Sequence, residues 1–142
     1  MENLLIEFIN SLDLSLKKIQ AEVGDEMGIS KLTIHQFQYI DAIHQLGEPA
    51  ITEIADKLKI TKASVTTGIN KLVDLGYVIK TQSREDRRVF HVSLTKAGGQ
   101  LIKAKYQALK EYGEFINASL SKAEARQLEK TLTKLVKLFK QA

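Results

Sequence analysis

Between Thr61 and Thr95 the chain gathers side chains suited to gripping a polyanion. Lys62, Ser64, Thr66, Thr67, Asn70 and Lys71 share one face of a segment whose other face carries Val65, Ile69 and Leu72 at spacings of four and three. The outward face holds short hydrogen-bonding groups and cations, with no acid before Asp74. Such groups suit base edges and phosphates in a DNA major groove. A second cluster follows at Arg84, Glu85, Asp86, Arg87 and Arg88, where two acids stand among three arginines. Arginine on a loop tip is favoured against a backbone or in a minor groove.

The elements that must position these groups can be read from local signals. Thr61 is a helix N-cap and Gly76 a left-handed stop. Tyr77 to Lys80 alternate, and beyond the charged loop Phe90, Val92 and Leu94 share one face while Val89, His91 and Ser93 share the other. A helix followed by a hairpin with a basic tip is a winged helix. Upstream, Thr52 is expected to cap a short helix with Ile54, Ala55 and Leu58 inward, ending near Lys59. Two helices so tightly joined form a helix-turn-helix unit whose second helix reads.

Thr33 with Gln36 fits a capping box before Ile34, Phe37, Ile40, Ile43 and Leu46; Gly47 and Pro49 end that helix. The first helix carries Leu5, Phe8, Leu12, Leu16, Ile19 and Val23, until Gly24 and a turn at Gly28-Ile29-Ser30. Thr95 can cap a long helix from about Lys96. Gly98 and Gly99 weaken its first turn, and Leu101, Ile102, Leu109, Tyr112 and Phe115 give inward positions. Ser121 and Glu124 form a second capping box, after which Leu128, Leu132, Leu135 and Phe139 approach an a/d seam. These apolar faces exceed what a small reading domain can cover, so the end helices are expected to pack together and against a second copy.

Composition narrows the function classes. The chain has 142 residues, 44% hydrophobic and 27% charged, as a globular unit should. Residues 61–96 carry seven cations against three anions, while the remainder carries fourteen of each. The whole surplus of four therefore sits on the reading unit, which points to a polyanionic partner. No Cys is present, so thiol chemistry and Cys-based zinc sites are closed. His35, His44 and His91 are scattered and make no metal-ligand set. No phosphate-binding glycine loop or nucleophile with His and acid partners supports an enzyme, and no cofactor is expected. No apolar run approaches membrane-spanning length, and the start Met1-Glu2-Asn3 lacks a basic secretory region, so a cytoplasmic location is expected.

At the hairpin the chain reads Asp86-Arg87-Arg88, five residues, then Leu94-Thr95. This resembles the D-x-R…L-T signature of the MarR family of transcriptional regulators. Ile54-Ala55-Asp56-Lys57-Leu58, the run from Val65 to Leu72, and Leu75-Gly76-Tyr77-Val78 resemble the same family's reading unit. The resemblance spans essentially the whole chain. It implies a mainly α fold of six helices plus a β-hairpin wing. Residues 30–95 would be the winged helix-turn-helix region, and 1–24 and 96–142 the dimerisation helices of a single chain. It also implies a homodimer on a pseudo-palindromic operator, acting as a repressor released by a small aromatic or anionic effector. The family's recognition contacts fall on Lys62, Ser64, Thr67 and Lys71, to which Thr66 is added from its outward position. Asp86 would orient Arg88 into a minor groove, with Arg84 and Arg87 on phosphates. One departure is Ser83, where many members carry an acid; this puts the bracing of the loop in question.

Two readings stand beside this one. The Asp86–Arg88 pair also reads as a surface brace of the hairpin, a role compatible with DNA contact. A winged helix used only for protein contacts is the alternative to DNA binding, and it predicts little salt dependence. Tyr39, His44, Tyr106 and Tyr112 mix apolar surface with polar tips and are candidates to line an effector crevice, or simply core-edge aromatics.

Overall fold

The computed structural model describes residues 1–24 and 32–142. Among them the order is α1 (Glu2–Gly24), α2 (Ile34–Leu46), α3 (Ile51–Leu58), α4 (Lys62–Asp74), β1 (Val78–Gln82), β2 (Phe90–Leu94), α5 (Lys96–Ser119) and α6 (Lys122–Gln141). The mainly helical winged architecture is as the sequence indicates. The turn at Gly28-Ile29-Ser30 lies outside the described residues, as do the side chains of Leu16, Ile19, Val23 and Ile34. No helix among the described residues is long and apolar enough to cross a membrane.

Four of the helix starts follow the expected chemistry. The hydroxyls of Thr33, Thr61, Thr95 and Ser121 accept from the backbone N–H three residues on, at 3.2, 3.1, 3.1 and 3.2 Å. Gln36 and Glu124 complete reciprocal boxes at 2.8 Å. Those backbone contacts hold the Glu124 carboxyl below its ordinary range.

The short helix α3 corrects the expectation for Thr52. It begins two residues earlier, with Ala50 in the cap position and the Glu53 carboxylate accepting from Ala50 N–H at 3.1 Å. The preceding turn is fixed by β2. Val92 N–H donates to Pro49 O at 2.9 Å, and Ala50 bridges His91. That tertiary anchor overrides the local preference of Thr52. Lys59, at φ 55° and ψ 45°, then makes the tight left-handed turn into α4.

The wing strands pair antiparallel with Val78 opposite Leu94, Lys80 opposite Val92 and Gln82 opposite Phe90. The alternation places Val78 and Val92 in the core and leaves Ile79 outside. Ile40, Ile43, Ile54, Val65, Ile69, Leu72 and Leu101 complete a dry centre drawn from α2, α3, α4 and the start of α5. Each such large side chain contributes about 1.5–3 kcal/mol by leaving water. Among the described residues, no buried side-chain polar atom lacks a partner.

Gly98 has the opposite meaning from the helix-weakening one expected. A Cβ there would collide with the backbone carbonyl of Tyr77, so glycine lets α5 start against the corner after α4. Thr95 secures the same corner by donating to Gly76 O at 2.6 Å and accepting from Gly98 N–H at 3.1 Å.

The chain divides into two compact units, Met1–Tyr106 and Gln107–Ala142, with α5 contributing to both. Leu101 and Ile102 are buried as expected, but Leu109 and Phe115 are exposed. Leu46, expected inward on α2, is also partly exposed.

Candidate nucleic-acid interface

Helix α4 is held by one stripe and presents another. Val65, Ile69 and Leu72 are fully buried, which fixes its rotation. Lys62, Ser64, Thr67, Asn70 and Lys71 are exposed, whereas Thr66 is half-buried at the edge of the stripe. The hydroxyls are not equivalent. Thr61 donates its proton to Ser64 Oγ at 2.9 Å, so Ser64 keeps its own proton to give. Thr67 donates its proton to Ala63 O at 3.0 Å and therefore offers a methyl and an accepting oxygen. Asn70 accepts from Lys80 Nζ at 3.4 Å, which ties the outer face of α4 to β1. The same Nζ lies 4.5 Å from the centre of the Phe90 ring.

A shallow groove of about 500 Å³ runs along one flank of α4. It gathers Ser64, Thr67 and Lys71 with His35 and Gln36 of α2. Its floor depends on Gly68, where a Cβ would overlap the Tyr39 ring. Tyr39 O–H also donates to Ser64 O at 3.3 Å, pinning α2 to α4. Sequence reasoning missed Gly68, Tyr39 and His35. The available signal was a lone glycine inside a helical pattern, which marks a close approach.

The wing tip is braced by its own backbone. Ser83 N–H donates to Val89 O at 2.8 Å and Val89 N–H to Asp86 O at 2.9 Å. Gln82 Nε2 adds a bond of 2.7 Å to Arg87 O. Ser83 supplies a hydroxyl acceptor for Asp86 N–H at 3.4 Å, a long contact where an acid would bind more strongly. Asp86 Oδ1 accepts from Arg88 N–H and Nε–H at 3.0 and 3.1 Å, and Oδ2 accepts from the guanidinium at 3.2 Å. The Arg88 side chain and backbone together hold the Asp86 carboxyl below its ordinary range. The guanidinium remains 90% exposed, so its direction is set while its outer edge stays in water. Arg84 and Arg87 are exposed on the same loop.

Tyr39 belongs to the α2–α4 contact. Tyr106 O–H donates to Asp41 Oδ1 at 2.6 Å, with the His44 ring 5.7 Å away. The Asp41 bond raises the Tyr106 phenol above its usual pKa. Tyr112 stands beside Phe115 within the second unit.

With this geometry in view, comparison with known proteins is direct. The profile of the MarR family matches residues 30–89. The HTH-type transcriptional regulator PapX of Escherichia coli is 30% identical over 126 residues, covering 87% of this chain and 76% of that protein. The HTH-type transcriptional repressor MdtR of Bacillus subtilis (strain 168) is 25% identical over 140 residues, covering 92% and 90%. FabT of Streptococcus pneumoniae, solved in complex with DNA, has the same fold with a TM-score of 0.81, 24% identity and 99% coverage of both chains. The MarR-family profile, together with 30% identity over most of PapX, makes the chain a member of the MarR family of winged helix-turn-helix transcriptional regulators.

Proposed function

We propose that the chain is a sequence-specific double-stranded DNA-binding regulator that acts as a cytoplasmic homodimer, represses transcription, and is released by a small aromatic or anionic effector. One observation carries the DNA assignment: α4 presents an acid-poor polar face from the same rigid core that carries the arginine wing. FabT, crystallised with DNA on this fold, and MdtR, named a repressor, support the reading.

In this assignment residues 30–95 read the operator and the helices at 1–24 and 96–142 hold the dimer. Lys62, Ser64, Thr66, Thr67 and Lys71 act from the helix. Arg84, Arg87 and Arg88 act from the wing, with Asp86 aiming Arg88. The half-buried position of Thr66 suits contact with a thymine methyl better than with a phosphate. Exposed apolar side chains on α1 and α6, Leu5, Phe8, Leu132 and Leu135 among them, support the dimer.

Fluorescence anisotropy with operator fragments recovered by genomic enrichment tests the proposal. Arg88→Ala is expected to weaken binding about tenfold or more while leaving the oligomeric state unchanged. Unchanged affinity near physiological salt would remove the wing assignment. Failure of the native protein to bind any duplex in dilute buffer would remove the function.

A further inference from the structure

The groove beside α4 has a wall on α2 to which the reading above gives no role. On the α4 side stand Ser64 and Lys71, and facing them from the first turn of α2 is His35. Among the described residues no carboxylate lines the groove. Lys71 is the one lysine or arginine among those that line it, and the other polar side chains are an imidazole, hydroxyls and an amide. The capping hydroxyls already take the N–H groups of Gln36 and Ser64. The side chains that line the groove are the groups considered for a ligand here.

Three side chains are in a state to meet it. Ser64 has its proton free because it accepts from Thr61. His35 has Nδ1 within 3.3 Å of Gln38 Oε1, which ties one edge of the ring to its own helix, so that the imidazolium form, and not the neutral ring, presents Nε2–H to an anion. Lys71 is exposed and supplies charge. The glycine at position 68 brings these groups together, because a side chain there would push Tyr39, and α2 with it, away from α4.

Position on the helix identifies the ligand. A helix about 10–12 Å across fills a major groove about 12 Å wide, so the phosphate ridges run along its flanks rather than under its tip. The groove lies on such a flank, between the outward face and the buried stripe. We propose that it seats one backbone phosphate of the bound duplex, held by His35, Ser64 and Lys71. The inference rests on the DNA-binding reading and deepens it. It makes Ser64 a positioning contact rather than a reader of bases, and adds α2 to the interface.

The test measures affinity for operator and scrambled duplexes across a salt series. His35 is exposed, so its variants are expected to fold, and a matching thermal melt checks this. His35→Glu should weaken both duplexes about tenfold or more by placing an anion against the phosphate. His35→Lys should bind more tightly and steepen the slope of log affinity against log salt by about 0.9 per bound protomer. Ser64→Ala should weaken both duplexes alike and preserve their ratio. Native affinity in folded His35→Glu, or a lost operator preference in Ser64→Ala, would overturn the proposal. Arg88→Ala run in parallel separates the two failures. If it weakens binding while His35→Glu does not, the groove assignment falls alone. If the native protein binds no duplex, the function falls as well.

Discussion

The reading core and the end helices use the same alphabet with opposite outcomes. In α2, α3 and α4, Ile40, Ile43, Ile54, Ile69 and Leu72 are fully withdrawn from water. On α1 and α6, residues of the same kind at comparable spacing remain in it: Leu5 and Phe8 on one, Leu132, Leu135 and Phe139 on the other. Helix α6 buries no residue at all, and Phe139 is 77% exposed. The contrast teaches that an amphipathic pattern specifies a face to be covered and is silent on what covers it. The reading unit finishes its core with its own chain. Among the described residues, the apolar faces of the end helices stay in water.

The strongest way to break this contrast is to charge the exposed apolar face of α6. Leu132→Glu combined with Leu135→Glu should leave the reading unit folded and abolish dimerisation at micromolar concentration, because a carboxylate resists transfer into an apolar seam. Sedimentation velocity reads the outcome, and a double variant that remains fully dimeric would contradict the seam. Far-ultraviolet circular dichroism should show helical content largely retained.

A smaller effect sharpens the same contrast from the other side. Ile69→Ala opens a cavity in a finished core and should cost about 2–5 kcal/mol in urea unfolding. Leu135→Ala should cost an amount that grows with protein concentration, because its partner surface arrives by association. Equal concentration dependence for the two variants would erase the distinction.

Sequence legibility followed the range of the forces involved. The caps at Thr33, Thr61 and Ser121 were readable because donor and acceptor lie three residues apart. The strand faces were readable because Val78 and Val92 alternate with residues that face away from the core. Thr52 misled because the start of α3 is set by β2, more than forty positions onward in the chain: His91 bridges Ala50 and Val92 holds Pro49. Gly98 misled because helix propensity counts its flexibility as a cost, whereas the Tyr77 carbonyl demands its missing side chain. His35 gave no signal, since a surface histidine acquires a role only when α2 lies against α4. The exposed polar face of α4 and the basic loop of the hairpin were legible as chemistry. The groove beside them was not, being made by packing.

The smallest effect concerns the wing tip, where the core has no part. Asp86 and Arg88 meet in water, so their contact sets direction and adds little to global stability. The Arg88 guanidinium and backbone depress the Asp86 carboxyl in the folded wing. A depressed acid contributes its ordering above the unfolded value and loses it as pH falls through the folded one. The Arg88 tether should therefore persist down to the ordinary carboxylate value of 3.8 and release only below it. Asp86→Asn removes the charge while keeping an acceptor for Arg88 N–H, so it should free the guanidinium at neutral pH without moving the unfolding midpoint. Nitrogen-15 relaxation of Arg88 Nε distinguishes the cases. Equal order in Asp86→Asn and the native chain would mean that the backbone bonds of Ser83 and Val89 alone aim the arginine. Reduced order with an unchanged midpoint would assign the aim to the carboxylate, as the three bonds between the residues indicate.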